Sequence, residues 1–213
     1  MAFDYKKELK DLYCTKKPPL IVNVPKTSYL AVRGCGDPNL PGGEYQKAIA
    51  ALYPVAYALK TAPRHGYQIE GFFDYVVPPL EGFWWQENIC GCDYSNKQSF
   101  KWISMIRLPD FVAENDVEWA KNYAAAKNKD RNNFEKVEFF TVEEGLCAQI
   151  LHVGSFNSEP ETVKILEDFI ASSGYANDIN QNRRHHEIYL SDARKTPAEK
   201  QKTIIRHPIK DEK

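Results

Sequence analysis

The chain has 213 residues, with 28 Lys and Arg against 29 Asp and Glu and a formal net charge of −1. So balanced a chain offers no one-signed field for sequence-blind binding to nucleic acid or an anionic membrane surface, and it holds no run of the ~20 apolar residues that a membrane span needs. Apolar residues make up 43% and aromatics 13%, which excludes disordered, collagen-like and coiled-coil classes and leaves a globular chain of one large or two small domains. The start, Met1-Ala2-Phe3-Asp4-Tyr5-Lys6-Lys7, lacks the apolar stretch of a secretory signal, so a cytoplasmic location is expected. Five cysteines (Cys14, Cys35, Cys90, Cys92, Cys147) form an odd, scattered set, read as free thiols. Cys90-Gly91-Cys92 is one residue short of a zinc knuckle and has no matching second pair, so no metal is expected there.

In chain order, residues 1–26 read as a Lys-rich lead, a short helix and then an extended arm around Pro18-Pro19 and Pro25. Ser28–Gly34 is the first strand, stopped by the Gly36–Gly43 turn run. Tyr45, Ala48, Ile49, Leu52, Ala56 and Leu59 keep helical spacing, with Pro54 expected to kink or divide that helix. Gly66–Val77 reads as a strand, Leu80–Trp85 as a short extended aromatic piece, residues 86–99 as a loop and Phe100–Arg107 as a strand. Asn115 is placed to cap a helix from about Asp116 to Lys127. Val137–Thr141 and Cys147–Val153 flank Glu143-Glu144-Gly145 and look like a hairpin. Ser158 with Glu161 makes a capping box for a helix that Gly174 closes. His186–Leu190 and Thr203–Arg206 are the last strands. Helices alternating with groups of strands imply an α+β fold, helices on one side of antiparallel sheet, with a loose two-fold recurrence of strand, helix, strand, strand.

Chemistry points first to the strand around Glu187. Alternation puts His185, Glu187 and Tyr189 on one face and His186, Ile188 and Leu190 on the other. The apolar second face is expected to meet the helices, which leaves Glu187 on the opposite face, either in a cleft or simply wet, as in an ordinary half-solvated strand. Trp84 and Trp85 must point to opposite faces, and Trp102 alternates with Ile103 and Met105; such rings are core or walls for a planar or cationic ligand. His185 and His186 lie on opposite faces and cannot share one metal, and His152 is distant in sequence. Gly34-Cys35-Gly36 lacks the glycine pattern of a dinucleotide fingerprint, and no nucleophile elbow is present, so neither cofactor nor acyl-enzyme chemistry is expected.

Several segments together resemble the stand-alone GyrI-like proteins along nearly the whole chain. They are Lys7–Tyr13, Gly34–Asn39, Pro79–Trp85 with its Leu80-Glu81-Gly82-Phe83-Trp84-Trp85, Trp102–Val112, Glu144–Phe156 and His185–Thr196. The resemblance implies a GyrI-like (regulatory-factor effector-binding) fold: two pseudo-two-fold strand-helix-strand-strand modules with antiparallel sheets around a central groove. It divides the chain into a lead of residues 1–26 packed on the domain, a single small-molecule-binding domain over 27–208 and a polar tail over 209–213. In multidrug-sensing relatives an acidic residue at the position of Glu187 meets cationic aromatic drugs. The nearer resemblance is to stand-alone members described as hydrolases of cyclopropane-bearing, DNA-alkylating natural products, in which an aromatic cleft holds the flat toxin and a glutamate is needed for hydrolysis. Carried over, that implies Glu187 as the general base; Phe83, Trp84, Trp85 and Trp102 are the candidate ligand walls, and Tyr189, two residues along the same face as Glu187, is a candidate to orient the water or donate to the ligand. The implied partner is a planar aromatic or cationic small molecule, with no nucleic acid, membrane, metal or cofactor, in a monomer or homodimer. The alternative reading is a binding or sensing protein without turnover; the 26-residue lead is too short for a helix-turn-helix and linker. The chain departs from the family pattern at Pro54, at Cys35 between its two glycines and in the 88–99 loop.

Overall fold

A computed structural model describes residues 2–13, 18–87, 89, 95–128 and 133–212. Among these residues alternating apolar segments form nine strands: β1 (Leu20–Val24), β2 (Thr27–Cys35), β3 (Leu80–Trp85), β4 (Lys101–Arg107), β5 (Glu138–Val142), β6 (Gly145–Val153), β7 (Tyr175–Asn177), β8 (His185–Tyr189) and β9 (Lys202–Asp211). The α-helices among these residues are α1 (Tyr5–Glu8), α2 (Glu44–Lys60), α3 (Glu114–Lys127) and α4 (Glu159–Ser172). The strands pair antiparallel in the order β1-β6-β9-β8-β3-β4-β2-β5, with β7 added to β9.

This order contains a two-fold. The run β2-α2-β3-β4 forms one module and β6-α4-β8-β9 the other, and their second strands, β3 and β8, meet antiparallel at the centre with Gly82 opposite Glu187. The two flanking strands are exchanged. β1 precedes the first module but pairs with β6 of the second, while β5 precedes the second and pairs with β2 of the first.

Both long module helices cover one face. Ala48, Ala51, Leu52, Val55, Ala56 and Leu59 of α2 bury against Leu30, Val32, Trp102 and Ile106, and Leu166 and Ile170 of α4 bury against Ala148, Ile150, Ile205 and Ile209. Helical spacing turned toward a sheet face is what fixes these two helices, since isolated helices of this length are marginal in water. The opposite face is closed by the lead: Tyr5 and Tyr13, together with Tyr75, pack on Leu151, Ile188 and Ile204.

Several elements differ from expectation. The Ile188 side of β8 meets the lead rather than helices, so the helices share the Glu187 side. α2 continues through Pro54 without dividing, because its buried face is anchored on both sides of that residue and Pro54 itself lies toward the open groove. Residues Gly66–Val77 form no strand: Gly66 and Gly71 adopt left-handed φ of 77° and 72°, and only Tyr75 bridges, to Phe3. α3 starts at Glu114, where the Asp116 carboxylate accepts the Ala113 N–H at 2.8 Å in place of a cap from Asn115. Ser158 makes no cap; its hydroxyl donates to the Ser155 carbonyl. β5 and β6 do not form a hairpin with each other, since their partners are β2 on one side and β1 and β9 on the other. The arm at Leu20–Val24 is a full strand, and residues 209–211 belong to β9 with Ile209 buried rather than to a tail. Cys90-Gly91-Cys92 lies outside the described residues.

Candidate functional site

Along the central seam between the modules a groove of about 1150 Å³ opens between α2 and the start of α4. Its floor follows from strand register. Residues directly opposite in an antiparallel pair share a face, so Leu80, Gly82 and Trp84 of β3 stand with Tyr189, Glu187 and His185 of β8 on the helix-covered side. Gly82 is required there. A Cβ at this position would come within 2.8 Å of Trp84 Nε1 and 3.3 Å of Tyr189 Oη, and without it the Trp84 indole lies across the seam and donates to Tyr189 Oη at 2.9 Å. Tyr45 of α2 packs on Trp84 with ring centroids 5.2 Å apart. Burial, with the charge of Glu187 beside it, pushes the Tyr189 phenol well above its ordinary range.

Glu187 is 9% exposed and lines this groove. Burial raises its carboxyl above the ordinary value, the negative charge of Glu159 adds to the shift, and hydrogen bonds from His185 and Tyr189 oppose it. Glu159, the first residue of α4, is 1% exposed, placed where the positive end of a helix favours a carboxylate. His185 Nε2 lies 3.4 Å from Glu187 Oε1 and 3.5 Å from Glu159 Oε1. On its other side His185 Nδ1 meets His207 Nε2 of β9 at 2.8 Å. Burial holds His207 well below the ordinary imidazole value, so it is neutral. His152 shares this face but is committed to the chain turn before α4, with Thr162 Oγ1 at 2.8 Å and the Ser155 carbonyl at 3.0 Å.

Glu159, His185 and Glu187 each offer one ligand-type atom, all within 4.8 Å of one another. They are the residues that a divalent cation would use, and the protonation of His185 Nε2 decides whether it can serve.

The expected walls separate sharply. Trp84 reaches the groove. Trp102 faces the same side but is 1% exposed, its ring lying over Gly34, where a Cβ would come within 2.2 Å of it; it is core beneath Tyr45. Phe83 and Trp85 point to the other face, against His186 and under the Arg184 guanidinium respectively, because alternation cannot put neighbours on one side. Tyr45, Glu159 and His207 escape sequence reading. Tyr45 looks like an ordinary helix-core residue and Glu159 like an ordinary first-turn acid, while His207, between Ile205 and Ile209 on an inward face, carries the one available signal.

The opposite face of the same seam holds a second polar cluster. His186 lies 3.0 Å from both Glu81 Oε2 and Glu144 Oε2, and Arg206 donates to Glu144 Oε1 at 2.9 Å and to Gln149 Oε1 at 2.9 Å. Burial works to raise Glu144, but the charges of His186 and Arg206 overcome it and hold its carboxyl down to about 2. Burial likewise opposes a charge on His186, and Glu144 and Glu81 outweigh it and raise that imidazole. This cluster fastens the lead: Arg206 donates to the Leu12 carbonyl at 2.9 Å, Gln149 to the Asp11 carbonyl at 2.7 Å, and Tyr13 to Glu81 Oε1 at 3.1 Å.

The profile of the GyrI-like small-molecule-binding domain matches residues 17–210. The chain is similar to a hydrolase from Listeria innocua, at 42% identity and a TM-score of 0.87 over 98% of this chain and 100% of that one. It is also similar to an uncharacterized conserved protein from Listeria innocua, at 44% identity and a TM-score of 0.90 over the same shares. The C-terminal domain of EcmrR, 12% identical with a TM-score of 0.53 over 92% of this chain and 99% of that one, shares the fold alone. No match is found among curated proteins. Among the described residues no helix is long and apolar enough to cross a membrane.

Proposed function

Because the chain belongs to the GyrI-like small-molecule-binding family, we propose that it takes a flat, largely apolar molecule into the seam groove and adds water to it, opening a strained electrophilic ring such as the cyclopropane of a DNA-alkylating natural product. The observation that carries this reading is Glu187: a buried carboxylate facing the groove, raised by burial and by Glu159, with aromatic Trp84 and Tyr45 beside it. A base tuned toward neutrality is suited to accept a proton from water and contributes about 10²–10⁴-fold. Water oxygen bonds to the ring carbon, the ring C–C bond breaks, and its electron pair passes to the conjugated acceptor. Glu187 takes the water proton and the acceptor is protonated, so the net change is addition of one water. Tyr189 is placed to orient that water or to donate to the acceptor. The closest supporting fact outside the groove is the likeness to a hydrolase at 42% identity.

A second reading, sequestration of a hydrophobic cation without turnover, is favoured by the two carboxylates on the floor. Lys6, Lys97, Lys195 and Lys202 line the rim and oppose the approach of a cation at low ionic strength, which tips the balance to a neutral ligand. Incubation with a cyclopropane-bearing alkylator, followed by mass spectrometry, separates the two. A product heavier by one water, lost in Glu187→Gln while binding persists, is expected; stoichiometric binding with no product would leave the sequestration reading in place.

A further inference from the structure

Behind the groove floor three side chains are joined in series, and their donor and acceptor order is fixed from one end. The backbone N–H of Ile179 donates to Asn177 Oδ1 at 3.0 Å, which turns Asn177 Nδ2 to His207 Nδ1 at 3.2 Å. An amide nitrogen only donates, so His207 Nδ1 accepts. The neutral ring then carries its proton on Nε2, and this N–H points at His185 Nδ1, 2.8 Å away. His185 Nδ1 accepts in its turn, so its proton is on Nε2, the nitrogen that faces Glu187 Oε1 at 3.4 Å and Glu159 Oε1 at 3.5 Å. Reversing the Asn177 amide does not escape the result, since it would set Nδ2 against the Ile179 N–H.

The same order forbids two alternatives. An imidazolium at His185 would carry a proton on Nδ1 as well and would need an acceptor at His207 Nε2, and a neutral His207 could then only place its own proton on Nδ1, against the Asn177 amide. A metal would need a bare lone pair at His185 Nε2, which demands the same reversal. The groups facing His185 are Glu187 on its own strand, Glu159 of α4, His207 of β9 and Trp84 of β3. Two carboxylates would ordinarily draw a second proton onto such a ring.

We propose that Asn177 and His207 are positioning residues that lock His185 as a neutral ring with its Nε2–H turned toward Glu159 and Glu187, and so deny the groove floor both an imidazolium and a metal. Glu187 thereby keeps the proton affinity that its role as base requires; this consequence rests on the hydrolytic reading, whereas the protonation pattern itself does not. Asn177 is exposed on a short edge strand, outside the groove lining, so the relay can be reversed from a distance. In Asn177→Asp the carboxylate still accepts the Ile179 N–H, but it now also demands a donor from His207 Nδ1. The reversed chain places a proton on His185 Nδ1 and lets the ring charge beside Glu159 and Glu187.

The test reads ring nitrogens directly. Histidine ¹H–¹⁵N NMR of the full chain at pH 7 is expected to show His185 and His207 both as neutral Nε2–H rings, and Asn177→Asp is expected to convert His185 to the imidazolium, with melting temperature as the check on folding. With a cyclopropane substrate, kcat in Asn177→Asp is expected to fall about tenfold, with KM little changed and the acid limb of the pH profile moved to lower pH as Glu187 gains a cation. Calorimetry with Zn²⁺ alone is expected to show no stoichiometric binding to the native chain. A native His185 protonated on Nδ1, ring shifts unaltered by Asn177→Asp, or stoichiometric Zn²⁺ binding that Glu159→Gln abolishes would each overturn the proposal. The ring-nitrogen readout needs no substrate, so absence of turnover counts against the hydrolytic reading alone.

Discussion

His185 and His186 are neighbours on β8, and the two faces of the sheet treat them in opposite ways. On the lead-covered face, carboxylates from Glu81 and Glu144 meet cations from His186 and Arg206, and Glu144 is held down to about 2. On the groove face, carboxylates from Glu159 and Glu187 meet a histidine backed by a second, neutral histidine, and Glu187 is raised. Residue types are alike on both sides; compensation is not. Where the carboxylates face a guanidinium, the cluster fixes structure, and where they face a pair of histidines, proton affinity is raised at a residue that lines the groove.

The largest effect that tests this contrast is on stability. Arg206→Met strips Glu144 of its guanidinium partner in the interior and is expected to cost about 3–5 kcal/mol in urea unfolding. Glu159→Gln removes a like charge from beside Glu187 and is expected to leave stability unchanged or improved. Equal losses in the two variants would erase the distinction between the faces. A smaller effect is expected from Gly82→Ala, whose methyl must displace the Trp84 indole; about 1–3 kcal/mol of strain should accompany weakened ligand binding by fluorescence titration. Trp85→Ala, on the other face, should leave that binding unaltered, which sharpens the assignment of walls.

The smallest effect is in the pH dependence of stability. Glu144 has a folded pKa below its ordinary 4.5, so the stability it brings is present above that value and is lost as pH falls toward about 2. His186 has a folded pKa above its ordinary 6.5, so its contribution is full below that value and is lost as pH rises through the folded one. Both are complete between roughly pH 4.5 and 6.5. Urea midpoints across pH should show this window in the native chain and a flattened one in Arg206→Met.

Much of this was open to reading in the sequence, within physical limits. Period-two alternation is local, so it placed Glu187 with Tyr189 and split Trp84 from Trp85. Which side carries the helices is not local. Ile188 and Leu190 mark an apolar face, and aromatic residues of a polar lead cover such a face as well as a helix does. The supposed hairpin failed for the same reason: Glu143-Glu144-Gly145 has turn chemistry, but Glu144 is drawn inward by Arg206 and His186, and each flanking strand finds its partner far along the chain. Glu159, His207 and Asn177 acquire a role only when β7, β8, β9 and α4 are brought together, and no spacing rule announces that.

The exchange of β1 and β5 between the modules bears on how the molecule assembles. Leu20 reaches across to Gln149 and Thr27 to Val142, so neither half can complete its own outer edge while the other is unmade. Chain closure over such separations is slow but collective. A fragment ending after the first module would keep an open β2 edge, a template for pairing with another chain, and it would lack the groove, which exists only along the seam.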